Sequence, residues 1–171
     1  GQTGPQTGPA AAWGSVARGS GLFFKGLNDE GGIHGRKIKY FLRDDGYQPA
    51  KTKAIGTEFV EQIGVFGVVG CVGVGPGMAV RDYYTENKVL MVSFGISGVT
   101  NWINPFNKYI FPMFPLYIDE AYALTNYFFE KMKITKVAMF YHNDDYGKGG
   151  IEGVERYEKE KGLKLAATVS A

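Results

Sequence analysis

Cysteine is nearly missing from this sequence: Cys71 is the single one in 171 residues. The chain therefore forms no internal disulfide and no cysteine-based metal site, and the redox compartment stays open. Long apolar runs are missing too. The longest candidate, 65–74, is broken by Gly67, Gly70 and Gly73, so no direct membrane insertion is expected of this chain. Charge of one sign is also lacking: 19 Lys and Arg stand against 17 Asp and Glu, a net charge of +2. The basic residues are scattered, which leaves no footprint for nucleic acid or for an anionic membrane. His34 and His142 have no paired spacing and no H-E-x-x-H surrounds them, so metal and triad chemistry lack a scaffold. The opening Gly-Gln-Thr has neither an initiator Met nor a charged and apolar leader and reads as a processed end.

What is present is a globular composition, 44% apolar and 21% charged, with enough apolar residues for a sizeable core in one domain or part of a larger one. The 25 glycines beside 11 Tyr and 12 Phe point to many tight turns in a chain rich in ring surfaces. The turns are therefore the places to look for function.

Spacings of three and four predict a helix over 10–28, with Trp13, Val16, Ser20, Phe23, Phe24 and Leu27 on its inner side. Alternation at Ile38, Tyr40 and Leu42 predicts a strand over 37–42. Pro49 suits the first turn of a helix to about Gln62, with Ala50, Ala54, Ile55 and Phe59 inside. Continuous apolar runs at 65–69 and 89–92 read as strands covered on both faces, with a helix opened by Pro76 between them. A short strand at 109–111, a helix over 119–132 (inner side Ala121, Leu124, Tyr127 and Phe128), a strand at 136–141, a helix over 148–161 and a strand at 163–169 follow. This rhythm predicts an α/β fold with an open, parallel, doubly wound sheet. The break between two structural units is expected at 111–117, and the QTGP repeat at 2–9 reads as a turn after a strand whose body lies upstream.

Ligands of such sheets sit outside the carboxyl ends of the strands, which selects the loops 4–13, 70–77, 93–100 and 143–147. The glycine-rich 70–77 lacks the third glycine of a dinucleotide fingerprint, Met78 standing in its place, and no G-x-x-x-x-G-K-[ST] occurs, so a backbone able to approach an anion remains. Around Ser97 the G-x-S-x-G elbow fails at Val99, which leaves a hydroxyl and amides suited to a carboxylate. Asp144 and Asp145 fit either a cation site or a helix cap, and His34 reads as a turn residue. Trp13 and Tyr146 are rings in loops that suit a pocket wall. No enzymatic constellation emerges and no cofactor is implied.

The segments GPQTGP (4–9), NDEGGIHG (28–35), Asp44-Asp45, VLMVS (89–93) and NDDYGK (143–148), in unbroken order, resemble the extracytoplasmic solute-binding proteins of the branched-chain amino acid type, the receptors of ABC transporters. The resemblance implies type I periplasmic binding protein lobes that close on an amino acid or other small carboxylate and deliver it to a membrane permease, at the periplasmic or extracellular surface. It places the first lobe at 1–114 and the start of the second at 115–171. The same resemblance matches Trp13, Gly73, Val74, Gly95, Ser97 and Tyr146 to ligand-binding positions. Val74 departs from it, since the amino acid receptors usually carry a hydroxyl there. Family members are longer, and the acidic residue that meets a ligand ammonium belongs to the part outside this chain. The alternatives are a small-molecule sensor domain of the same fold and, behind it, a flavodoxin-like enzyme using Asp44, Asp45 and Asp144.

Overall fold

The computed structural model describes residues 1–92 and 98–171, which form two compact units. The first comprises Gly1–Ile96 and Asn107–Met113, the second Ser97–Phe106 and Phe114–Ala171. The boundary expected from the sequence keeps 1–114 together; the stretch ending at Phe106 goes instead with the second unit. There Trp102 is fully buried, and the Tyr117 amide donates to the Gly98 carbonyl at 2.7 Å.

The first unit runs β1 (Gln2–Gly4), a 3-10 turn (Ala11–Trp13), α1 (Gly14–Asp29), β2 (Leu42–Asp44), α2 (Pro49–Thr57), β3 (Gly67–Val69), α3 (Val74–Glu86), β4 (Leu90–Val92) and β5 (Ile110–Phe111). All its strand pairs are parallel: β1 with β2, β3 with β4 and β4 with β5. Gly1 joins the two ladders, because its carbonyl accepts from the Val69 amide at 3.0 Å and its nitrogen donates to the Gly67 carbonyl at 2.8 Å. The spatial order is thus β2-β1-β3-β4-β5, the doubly wound order whose direction reverses between β1 and β3. Gln2 and Thr3, expected in a turn, are buried strand residues instead.

Three inner faces differ from the expected stripes, and the reason is close approach. In α1 the buried residues are Gly14 and Ala17, while Trp13, Val16 and Phe23 are exposed. A Cβ on Gly21 would lie 3.1 Å from the Tyr40 ring, so the small residues face inward and let the helix sit low on the sheet. In α2 the buried residues are Thr52, Ile55 and Gly56, followed by Phe59 in a π turn (Glu58–Ile63), and Ala50 and Ala54 are exposed. Gly56 faces Val80 and Tyr84 of α3. The strand expected over 37–42 begins only at Leu42, since the Asn28 side chain takes up both backbone groups of Ile38 at 2.7 and 2.8 Å. Helix α3 starts at Val74 and not at the expected Pro76.

The second unit contains α4 (Thr100–Ile103), α5 (Tyr117–Asn126) continued by a π turn (Tyr127–Lys131), β6 (Ala138–Tyr141), α6 (Asp145–Lys161) and β7 (Ala167–Ser170), with β6 and β7 parallel. Leu124 and Tyr127, expected inside, are exposed, and Thr125 is buried. The register is chosen by α6, whose Gly153 comes so near that a Cβ would lie 2.8 Å from that of Ala121. Tyr157 then packs edge-on to Tyr122 and stacks on Phe129, with centroids 5.4 and 5.8 Å apart.

Candidate functional site

The reversal between β1 and β3 places two loops side by side at the carboxyl ends of the first unit's strands, 5–13 after β1 and 70–73 after β3. The β2–α2 loop, 45–48, joins them. A Cβ on Gly4 would touch Val72 at 4.0 Å, one on Gly75 would touch Pro49 at 3.5 Å, and one on Gly8 would lie 3.8 Å from the Gly46 carbonyl. Glycine is what allows backbone to meet backbone here.

Gly73 is the N-cap of α3, at φ 108° and ψ 131°, and as a glycine it brings no side chain to cap that helix. Pro76 has no N–H, so the first turn offers its amides only at the Gly73–Val74–Gly75 end, where an anion is favoured by the aligned peptide dipoles. Val74 is 3% exposed and its side chain belongs to the core. Trp13, by contrast, closes the 3-10 turn with its ring 64% exposed. Both are therefore placed at the same end of the sheet, one side chain buried and the other exposed. Gly95 and Ser97 lie outside the described residues.

The loop after β1 is held by Asp44. Its carboxylate accepts from the Gln6 amide at 2.8 Å, the Gly46 amide at 2.9 Å and the Thr7 hydroxyl at 2.6 Å. These bonds hold its pKa well below the usual carboxylate range. Asp45 is buried, accepts from the Tyr47 amide at 2.9 Å and lies 3.2 Å from the Thr52 hydroxyl, and burial pushes its carboxyl up. Both carboxylates are thus bonded into the loops they hold. Behind the site, Gln2 Nε2 donates to the Gly70 carbonyl at 2.6 Å, and the Thr3 backbone amide meets Cys71 Sγ at 3.4 Å. Burial raises the Cys71 thiol to about 11.

Sequence reasoning misses Tyr47. Its ring covers the open face of Gly73, where a Cβ would lie 2.7 Å from Tyr47 Cε2. The only local signal is the Asp45-Gly46 turn pair, which says nothing of where the next ring points.

In the second unit Asp144 caps α6 by accepting from the Gly147 amide at 3.1 Å, and its other oxygen lies 3.1 Å from His142 Nδ1. The helix-cap alternative for Asp144 is the observed one. Among the described residues no group of His, Cys, Asp or Glu is placed to hold a metal ion. Tyr146, 52% exposed in the first turn of α6, packs edge-on to Tyr117 with centroids 4.9 Å apart. The two rings share the wall of a cavity of about 320 Å³ with Met139, Phe140 and His142. A larger cavity of about 910 Å³ in the first unit is lined by 36–41, 62–69, Leu90 and Val92, with Gly1, Phe24 and Ile33.

A family profile for periplasmic binding proteins matches residues 1–171. The Leu/Ile/Val-binding protein homolog 3 of Brucella melitensis is 32% identical over 146 residues, 85% of this chain and 39% of that protein. A substrate-binding periplasmic protein from Ralstonia solanacearum superposes with a TM-score of 0.90 at 25% identity, over 99% of this chain and 48% of its own. The branched-chain amino acid substrate-binding protein LivJ of Streptococcus pneumoniae, solved with isoleucine, gives 0.85 at 23% identity, over 99% and 48%. The chain spans less than half the length of each. Among the described residues no helix is long and apolar enough to cross a membrane.

Proposed function

The chain belongs to the periplasmic binding protein family, and from that premise we propose that it is part of an extracytoplasmic receptor that binds a small carboxylate and delivers it to an ABC permease. The observation that carries the reading is the glycine-lined start of α3, with Gly73 as its N-cap, at the point where the strand order reverses. Backbone amides at a helix N-terminus accept a carboxylate without a counter-charge, and none of the Asp44 and Asp45 oxygens competes for it, since both groups are bonded into their own loops. In this reading Gly73 and Val74 supply amides and Trp13 a ring face from the first unit; Gly95, Ser97 and Tyr146 are carried as candidates by the family resemblance alone. Buried Val74 brings no hydroxyl for an ammonium group. The solute class is therefore a carboxylate with an apolar or aromatic body, whose burial gains about 25 cal/mol per Å².

Calorimetry on the complete polypeptide with L-leucine, L-phenylalanine, benzoate, glycine and glucose tests this. Binding of an apolar carboxylate, weakened about ten- to a hundredfold in Ser97→Ala as one lost bond to a charged group requires, is the expected result. Binding of glucose or glycine alone overturns the solute class.

A further inference from the structure

The carboxyl ends of β1, β2 and β3 feed three helices, and none of α1, α2 and α3 carries an acidic residue in its first turn. Peptide dipoles favour acids there, and the second unit has them, Asp119 and Glu120 in α5 and Asp145 in α6. The same end of the first unit carries a cation. Arg18, one turn into α1, reaches back toward the start of its helix, where Nη1 donates to Gln6 Oε1 at 2.8 Å and a Cβ on Gly14 would lie 3.0 Å from it. Among the described residues no carboxylate lies within ion-pair distance of Arg18, so its charge rests on a neutral amide.

Gln6 is itself fixed. Its backbone amide donates to Asp44 at 2.8 Å, and its Nε2 reaches the Gly4 and Gly14 carbonyls at 3.3 and 3.4 Å. The guanidinium is thereby held at the loop after β1 with one of its five N–H donors used, on an exposed side chain. This pair lies beside the loop after β3, because the point where a Gly4 Cβ would stand is 3.9 Å from Gln6 Nε2 and 4.0 Å from Val72 Cγ2. Asp44 gives its oxygens to the Gln6 and Gly46 amides and the Thr7 hydroxyl, not to Arg18. A fixed cation over the positive end of a helix is unfavourable until an anion joins it. We infer that Arg18 is a specificity-determining residue that receives a second anionic group of the solute, so that the site prefers a dicarboxylate to the monocarboxylate with the same body. The inference rests on the reading of the α3 start as the seat of the first carboxylate. Gln6 is the positioning residue behind the guanidinium.

Calorimetry on the complete polypeptide tests this with two pairs of probes that differ by one carboxylate, benzoate with terephthalate and hexanoate with adipate, in the parent, Arg18→Gln and Arg18→Lys. The parent is expected to bind the dianion of at least one pair about ten- to a hundredfold tighter than its monoanion, as one added bond between charged groups gives. Arg18→Gln should bring that ratio to about one at unchanged Tm, since the side chain is exposed and hydrogen-bonds Gln6 alone, and Arg18→Lys should keep part of it. The parent's preference should also shrink with added salt, and that of Arg18→Gln should not. Equal affinities within both pairs in the parent overturn the inference and leave the α3 reading in place. So does a preference that survives Arg18→Gln. If the parent binds none of the four probes, the carboxylate reading fails and the inference falls with it.

Discussion

Gly73→Ala puts the geometry of the site to its most direct test. At φ 108° and ψ 131° the backbone occupies a region that L-residues rarely enter, and adopting it costs about 1–3 kcal/mol. The added methyl meets Tyr47 Cε2 at 2.7 Å and Pro76 Cγ and Cδ at 2.9 and 3.0 Å. Tyr47 can yield by a side-chain rotation, but the proline ring is built into α3 and cannot, so overpacking adds about 1–3 kcal/mol. One backbone shift relieves part of both, which gives a total of about 2–4 kcal/mol. With a urea m-value of about 2 kcal/mol/M, the unfolding midpoint should fall by about 1–2 M at unchanged m. The internal control is Gly19→Ala in α1, where a Cβ meets nothing within 4 Å; there a helix-interior Gly→Ala should raise stability by about 0.5–1 kcal/mol. Equal midpoints for Gly73→Ala and the parent, measured by far-ultraviolet circular dichroism on the complete polypeptide, would refute the conformation assigned to the α3 start and with it the carboxylate site.

Two further outcomes follow from the groups around the site. Cys71 is 3% exposed, and burial raises its thiol from 9.0 to about 11, so thiolate at pH 8 is about a hundredfold scarcer than in the unfolded chain. A disulfide reagent should label the folded protein at least that much more slowly than the protein in urea, and comparable rates would contradict the burial of Cys71. Asp44 has a folded pKa depressed below its ordinary 3.8, so the loop anchoring it provides is fully present above that value and is lost as the pH falls further. Hydrogen exchange should find the Gln6 and Thr7 amides protected from pH 7 down to about pH 4 and opening below it, whereas Asp44→Asn should leave them less protected at every pH; a variant with the parent's profile removes Asp44 as the anchor.

Local chemistry makes much of this chain legible in its sequence. Pro49 at the first turn of α2, Asp144 as the cap of α6, His34 in a turn and the apolar runs that form β3 and β4 each depend on neighbours a few residues away. So does the choice of strand-to-helix loops as the place for a ligand, because parallel strands joined by helices always gather amides at their carboxyl ends. The helix faces are less legible. Hydrophobicity nominates Trp13, Val16 and Phe23 for the interior of α1, but the tertiary approach of the helix selects Gly14 and Ala17, since packing against backbone rewards absence of bulk over apolar area. Beyond the Asp45-Gly46 turn pair, nothing in the sequence says that the Tyr47 ring lies on Gly73. That placement depends on β2, β1 and β3 lying in that spatial order, a pairing made through hydrogen bonds between residues as far apart as Gly1 and Val69. Sequence by itself determined which segments become strands, helices and loops; only the tertiary structure decided which loops meet, because strand order is a property of contacts across the whole unit and no local pattern encodes it.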